Sequence, residues 1–359
     1  MAPREAGVLG LFPGCVATGG IQASGRIAWD AICAPPTPFG PAARLCYGDA
    51  GLYRRSGSDW EVHTKTRLQA VLAALRAPRP LRLIVVWHMD LLRLLPFLRP
   101  AAAKVVLVLQ GVEAWRRRPV AERWLLRRVH TFLSISDYTW RRFVHVYPNF
   151  AGAHHTTVHL GIESSFDQPV SQPDSTPAAL MLGRLARGED YKGHREMIEA
   201  WPLVQRKLPD ARLWIVGDGD LRPDLEQAAS SRGLNGSVEF FGFVSDQQKQ
   251  QLLERARCMA IPSRGEGFGL VYLEAMRLGR PCLVSTADAG FEVVEPPRSG
   301  LAADLENREQ LAQATCRLLT DGAEWRRWSD CARSRYEQRY TAKQYQTRLI
   351  SALQSVLDS

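Results

Sequence analysis

The chain of 359 residues has no apolar run that approaches the ~20 residues a helix needs to span a bilayer. Its opening stretch, MAPREAGVLGLFPG, is apolar only briefly before Pro13 and Gly14. It reads as a first strand and not as a signal peptide. Cysteine is scarce and scattered. The seven, at positions 15, 33, 46, 258, 282, 316 and 331, form no C-x-x-C pair and no cluster with histidine. That pattern argues against a disulfide framework and structural zinc, and it fits reduced thiols in the cytoplasm. The glycine-rich loop after the first strand, 13-PGCVATGGIQASGR-26, is not G-x-G-x-x-G, so the fingerprint of nicotinamide dinucleotide binding is missing. Acidic residues are few in the first half. Residues 1–163 carry 21 Lys and Arg against 10 Asp and Glu, while the remainder carries 25 against 27. The whole of the +9 net charge therefore sits in the first half. Such asymmetry fits an anionic partner, a membrane surface or a nucleic acid, or else a solvated basic face. No recognised nucleic-acid-binding motif accompanies it.

What is present is an alternation of short apolar runs with helical stretches. Strands are expected at 7–12, 82–88, 104–110, 131–136 and 156–161. A polar, Pro-containing linker, 167-DQPVSQPDSTP-177, follows. The alternation then restarts, with strands at 179–184, 211–217, 237–242, 258–263 and 281–286. Helices are expected at 193–207, 220–232, 245–256 and 269–279, and a basic-aromatic helical tail from 323. Near-continuous apolar strands separated by helices mean parallel sheets covered on both faces. The expected fold is therefore α/β, with two doubly wound, Rossmann-like domains facing a cleft. The expected division is an N-terminal domain at 1–165, a C-terminal domain at 166–335, and a closing helix at 336–359 that crosses back to the first domain. Ligands in such folds bind at the carboxyl ends of the strands.

The richest stretch is 264-RGEGFGLVYLEAMRLGRP-281. A strand ends near Ser263, Arg264 to Phe268 form a glycine-rich loop, and a helix follows from about Gly269. Free N–H groups at that helix start, with the helix dipole, favour an anion. Gly265, Gly267 and Gly269 let backbone approach a ligand with no Cβ in the way. Glu266 lies in the loop and Glu274 about one turn into the helix. A carboxylate accepts paired hydrogen bonds, so each suits vicinal hydroxyls of a sugar or ribose. A phosphate-binding helix start flanked by two such carboxylates describes a sugar nucleotide. In 180-LMLGRLARGEDYKGHREMIEAWP-202, Arg184 and Lys192 stand at the same strand-end region. Two cations there suit a diphosphate and would stabilise charge on a departing phosphate. The turn at Gly217 to Gly219 and the pair Gly19-Gly20 are two further strand-end glycine loops, and the second could turn backbone N–H groups toward a phosphate.

Taken together these stretches resemble the retaining GT-B glycosyltransferases of family four, the glycosyl transferases group 1. The resemblance covers nearly the whole chain and is strongest from Leu180 to Leu319. The family's E-x7-E signature matches Glu266 and Glu274. Its G-R-L and K-G elements match Gly183-Arg184-Leu185 and Lys192-Gly193, its V-G-D-G element Val216 to Gly219, and its N-terminal Gly-Gly loop Gly19-Gly20. The resemblance implies that Glu274 binds ribose and Glu266 the donor sugar. Amides of Phe268, Gly269 and Leu270 contact sugar and phosphates, and Arg184 and Lys192 hold the diphosphate. The base lies near 241-FGFV-244. Gly183, Gly217, Phe243, Val244, Gly267 and Val271 complete the donor-contacting set. No metal and no cofactor are implied, and the anomeric configuration is retained. Two features depart from the pattern. Gly188-Glu189-Asp190 lengthen the span from Arg184 to Lys192, and Gln110 stands where many members carry a histidine. His88 is a further candidate cleft residue.

The expected activity is transfer of a hexose, mannose or glucose, from a nucleoside-diphosphate sugar to a saccharide or lipid-linked acceptor of a cell-surface polysaccharide or glycolipid. Alternatives are a sugar-nucleotide epimerase or hydrolase, and a catalytically silent nucleotide-sugar-binding subunit. Arginines and tryptophans in 115-WRRRPVAERWLLRRVH-130, and leucines with cations in 91-LLRLLPFLRPAAAK-104, suit an anionic membrane interface. On the first, Trp124, Leu125 and Val129 are expected to share an apolar face. The expected location is cytoplasmic and peripheral on the inner face of the membrane, with no nucleic-acid partner.

Overall fold

Short runs rich in Val, Ile and Leu have no polar face, so they are stable only when helices cover both sides of the sheet they form. The computed structural model, which describes residues 7–14, 19–48, 60–99, 102–163 and 172–359, arranges them in that way. By internal packing the chain divides into two units, Met1–Gly161 with Ala342–Ser359, and Ile162–Thr341.

The first unit holds β1 (Val8–Phe12), β2 (Ala42–Tyr47), β3 (Trp60–Thr64), β4 (Leu83–Val86), β5 (Lys104–Leu109), β6 (Thr131–Ser134) and β7 (His155–Thr157). They form one sheet in the order β3-β2-β1-β4-β5-β6-β7, and the pairings are parallel. The second holds β8 (Ala178–Leu182), β9 (Arg212–Val216), β10 (Val238–Gly242), β11 (Cys258–Ala260), β12 (Cys282–Ser285) and β13 (Gly300–Ala303). Its order is β10-β9-β8-β11-β12-β13, again parallel. Each sheet is wound outward to one edge and then back to the other. The strand order therefore reverses between β1 and β4 in one sheet and between β8 and β11 in the other. At such a reversal the connections leave in opposite directions and open a crevice at the carboxyl ends.

Three strands were not legible as apolar runs. In β2 the apolar run is interrupted by Arg44, which is buried. It is tolerated because Glu61 of β3 accepts from its guanidinium at 2.5 Å and the Trp29 ring lies 5.4 Å from its charge centre. Glu61 and His63 make β3 look polar for the same reason, since His63 Nε2 also meets Glu61 at 2.7 Å. The third, β13, is only GLAA.

Helix Ala342–Asp358 belongs to the first unit. It buries Tyr345, Leu349, Leu353 and Val356. The Tyr345 hydroxyl donates to the Ser24 carbonyl at 3.4 Å, on helix Gly20–Cys33, and Lys104 Nζ donates to the Val356 carbonyl at 2.8 Å. The division at 341/342 follows helix Ala323–Arg339, so the break expected at 336 lies inside that helix. The expected boundary at 165/166, part of the linker and residues 15–18 of the first glycine-rich loop lie outside the described residues.

The basic segment 115–130 folds differently from its expected face. On helix Val120–Leu126, Leu125 is buried in the core and Val129 beyond it is half-buried. Of the expected trio only Trp124 is exposed, joined by Val120, with the Arg128 guanidinium 4.5 Å over the indole. A different helix, Arg67–Leu75, exposes Leu68, Leu72 and Leu75. Their spacing puts them on one face. Among the described residues no helix is long and apolar enough to cross a membrane.

Candidate active site

In the second unit the two strands that flank the order reversal, β8 and β11, are followed by the two motif-bearing loops. After β8 the backbone is clamped by its neighbour. Gly183 N–H donates to the Val216 carbonyl and Leu185 N–H to the Asp218 carbonyl, both at 3.0 Å. The approach is so close that a Cβ on Gly217, at φ 140°, would overlap the Gly183 carbonyl oxygen. That is the physical reason for glycine in the V-G-D-G turn. Arg184 then projects from a fixed backbone and is 79% exposed.

A tight turn, Arg187–Lys192, leads to Gly193 at φ 84°, where a Cβ would come within 2.5 Å of the Pro262 carbonyl oxygen. Glycine after Lys192 lets this turn seat against the loop that follows β11. The two loops are tied together further. Arg264 N–H donates to the Tyr191 carbonyl at 2.9 Å, and the Tyr191 ring covers Gly265 so closely that a Cβ would lie 2.8 Å from it. The Arg264 guanidinium pairs with Glu196, on helix His194–Lys207, at 2.7 Å. Lys192 Nζ consequently sits 4.0 Å from Glu266 Oε1 and 3.0 Å from Glu189 Oε2. Arg184 pairs with the other oxygen of Glu189.

The Glu266 loop is held from below. Its N–H donates to Asp288 Oδ2 at 3.2 Å, and Asp288 Oδ1 accepts from Gly290 N–H at 2.8 Å. Gly269, at φ 86°, lies against the Tyr272 ring, whose hydroxyl donates to the Ile261 carbonyl at 2.8 Å. Burial pushes the Glu266 carboxyl above the usual carboxylate range; Lys192 draws it down and Glu189 pushes it further up. Asp288 is pushed up to about 7, first by burial and then by the Glu266 charge, against the hydrogen bonds it accepts.

Glu274 lies on helix Leu270–Arg277. Its Oε1 accepts from Lys249 Nζ at 3.2 Å, and Lys249 also lies 3.4 Å from Asp246. Its Oε2 is buried with no hydrogen-bond partner among the described residues. A buried carboxylate oxygen left without a donor costs free energy, so this atom is suited to a ligand hydroxyl. A cavity of about 580 Å³ adjoins it, lined by Glu163, Asp246, Lys249, Gln250, Glu274 and Arg277. Phe243, just before helix Asp246–Arg255, is 85% exposed, and Val244 is half-buried. Phe268 is buried, edge-on to Tyr340 at 5.9 Å. Gly267, Leu270 and Val271 lie in the loop and first turn between the two glutamates.

The first unit treats its sequence-predicted residues differently. Gly19 and Gly20 are exposed at the start of helix Gly20–Cys33, beyond the carboxyl end of β1. His88, after β4, caps the turn Met89–Leu94 by accepting the Asp90 N–H at 3.2 Å on Nδ1. Gln110, after β5, is buried. Its amide donates to the Trp87 carbonyl at 3.0 Å and its N–H to Glu113 Oε1 at 2.6 Å. Burial raises the Glu113 carboxyl above the usual carboxylate range, against the backbone N–H groups that it accepts from.

Sequence reasoning singled out Arg184, Lys192, Glu266 and Glu274. The structure puts Arg184 and Lys192 on one carboxylate, Glu189, brings Glu266 to 4.0 Å from Lys192, and sets Glu274 beside a cavity with Lys249. Glu189, Lys249 and Asp288 were missed as functional candidates. Glu189 was visible only as part of an insertion. Asp288 carried one faint signal, an acid just past the carboxyl end of a strand.

Comparison with known proteins fits this geometry. Residues 176–321 match the family described as glycosyl transferases group 1. The chain is 30% identical over 277 residues to a GDP-mannose-dependent monoacylated alpha-(1-6)-phosphatidylinositol monomannoside mannosyltransferase of Corynebacterium glutamicum, covering 71% of each protein. It is 28% identical over 254 residues to the GDP-mannose-dependent alpha-(1-6)-phosphatidylinositol monomannoside mannosyltransferase of Mycobacterium tuberculosis, covering 63% of this chain and 65% of that one. Among solved structures, Anabaena HepE in complex with UDP and glucose superposes with a TM-score of 0.75 at 19% identity, over 98% of this chain and 100% of that one. Two doubly wound parallel sheets, and structural neighbours among the GT-B glycosyltransferases, define a GT-B fold. The chain belongs to the group 1 glycosyltransferases.

Proposed function

We propose that the protein is a retaining hexosyltransferase that takes its donor, a nucleoside-diphosphate mannose or glucose, on the second unit, and its acceptor on the first. The observation that carries this reading is the set of charges at the carboxyl ends of β8 and β11, with Lys192 4.0 Å from Glu266 and an unpartnered oxygen of Glu274 at an adjoining cavity. Arg184 and Lys192 would hold the diphosphate and stabilise its charge as the sugar bond breaks. Glu266 would orient sugar hydroxyls, and its proximity to Lys192 supports a sugar and a diphosphate bound side by side. Glu274 would accept from the ribose hydroxyls, with Phe243 and Val244 beside the base. Departure of the nucleoside diphosphate and attack by the acceptor hydroxyl on one face of the sugar would retain the anomeric configuration. The cations would stand in for a metal, so turnover should survive chelator. Calorimetric titration with GDP- and UDP-sugars, followed by anomer analysis of the product, tests the reading. Binding of neither class, or an inverted product, overturns it.

An exposed apolar stripe with a cationic surround favours an acceptor at an anionic membrane surface. Leu68, Leu72 and Leu75 are exposed on a helix flanked by Lys65, Arg67, Arg76 and Arg79, and residues 65–80 contain no acid. Val120 and Trp124 are exposed among Arg116, Arg117, Arg123, Arg127 and Arg128. Leucines and tryptophan would enter the headgroup boundary while arginines meet lipid phosphates. Co-sedimentation with anionic liposomes should fall with salt, and should drop in Leu72→Ser and in the pair Arg116→Ser, Arg117→Ser. Wild-type protein that ignores such liposomes at low salt makes a soluble saccharide the acceptor.

A further inference from the structure

Glu189 divides its carboxylate between the two cations of the site. One oxygen pairs with Arg184 and the other lies 3.0 Å from Lys192 Nζ. The Glu189 side chain is 16% exposed and that of Lys192 14%, so their contact is largely shielded from water, whereas Arg184 is 79% exposed. A planar anion bridging a guanidinium and an ammonium mimics the demand of a diphosphate. The local balance points the same way. Arg184 and Lys192 bring two positive charges, and Glu189 brings a negative one between them. While Glu189 keeps its place, its carboxylate offsets charge that Arg184 and Lys192 would otherwise offer to a diphosphate.

Its position allows it to leave. Glu189 has non-helical dihedrals inside the turn Arg187–Lys192, at φ −121° and ψ 21°. The preceding Gly188 has open space where a Cβ would stand. Glu189 and Gly188 belong to the lengthened span between Arg184 and Lys192, so the carboxylate stands on neither strand and can be withdrawn by rotation of its own side chain, with the backbone held by the Arg187 N–H to Asp220 and the Glu189 N–H to the Ala186 carbonyl.

We infer that Glu189 is a built-in competitor for the diphosphate subsite, holding Arg184 and Lys192 while the site is empty and displaced when the donor's diphosphate takes both cations. The inference rests on the donor reading above. Its chemical consequence is that binding exchanges one set of charge-assisted contacts for another and does not create them all anew. The site therefore holds the nucleoside diphosphate product less tightly than two free cations would, and the returning carboxylate helps to expel it after transfer.

The test is calorimetric titration of the whole chain with GDP, UDP, inorganic pyrophosphate and the two free nucleosides. Wild type, Glu189→Gln and Arg184→Ala are compared. Removing one like charge from the subsite should tighten pyrophosphate and the preferred nucleoside diphosphate by about tenfold in Glu189→Gln. Affinity for the nucleoside alone should not change. Equal or weaker binding of pyrophosphate and nucleoside diphosphate by Glu189→Gln overturns the inference, because the carboxylate then only holds Lys192 in position. Should Glu189→Gln fail to fold, Glu189→Asp keeps the charge but is too short to span both cations. It should show a smaller gain, and no gain overturns the inference equally. The donor reading fails separately: it falls if wild type binds neither nucleoside diphosphate, or if Arg184→Ala binds them as tightly as wild type.

Discussion

The two sheets are wound alike, yet the residues beyond their order reversals are used in opposite ways. In the second unit the side chains after β8 and β11 are charged and gather within ion-pair distance of one another, on backbone that glycines allow to pack tightly below them. In the first unit the side chains after β4 and β5 are spent on the fold: His88 caps a turn, and Gln110 bonds the Trp87 carbonyl. On the donor reading proposed above, one strand-end region would serve a ligand of high charge, while the other serves its own backbone. The first unit carries its positive excess instead on outer surfaces, beside exposed leucines and a tryptophan. A ligand with a diphosphate needs fixed charge at fixed positions, whereas a membrane surface needs only many cations near apolar side chains.

The sharpest way to break that contrast is Arg184→Ala. If the second unit's cations stabilise a leaving diphosphate, turnover should fall about 10²–10³-fold, measured as kcat with saturating donor. Glu274→Ala comes next. Loss of a charged acceptor should weaken nucleoside diphosphate by ~1.5–3 kcal/mol in calorimetry, with the donor sugar's own contribution preserved. A third measurement concerns the support beneath Glu266. Burial, and then the Glu266 charge, push Asp288 up to about 7 from an ordinary 3.8. Between about pH 4 and 7 the folded state keeps a proton that the unfolded state has lost, so this group makes stability fall as pH rises through that window. Asp288→Asn should flatten the fall in a denaturant series at successive pH values. The smallest effect should come from the first unit. Gln110→Ala leaves the Trp87 carbonyl without its amide and should cost about 1 kcal/mol of stability in urea denaturation. Nucleoside diphosphate affinity should stay as it was, and a large loss there would erase the distinction between the two strand ends.

Legibility followed the same divide. The Arg184, Lys192, Glu266 and Glu274 positions stood out because charged residues and glycines lie close together in sequence there, within two strand–loop–helix units. Glu189, Lys249 and Asp288 did not, because their meaning is a partner 3, 25 or 22 positions away. Strands β2 and β3 escaped notice because Arg44, Glu61 and His63 satisfy one another across the ladder and make a sheet look polar in the chain. The apolar face expected on 120–129 was wrong for Leu125, because a short helix between buried elements turns its leucines to the core and leaves the outside to arginine and Trp124.

The sequence alone determined that strands alternate with helices in two successive runs, since unbroken apolar stretches must be covered on both faces and parallel strands need long crossovers. That Gly217 and Gly193 admit no side chain was decided by the tertiary structure, which presses them against the Gly183 and Pro262 carbonyls at positive φ. Only the tertiary structure decided which charges meet. A carboxylate three residues before Lys192 became the bridge between two cations, and the histidine and glutamine after β4 and β5 became struts. Those outcomes depend on distances set by sheet order and loop packing, and Coulomb and hydrogen-bond energies change over a few ångströms that sequence spacing does not encode.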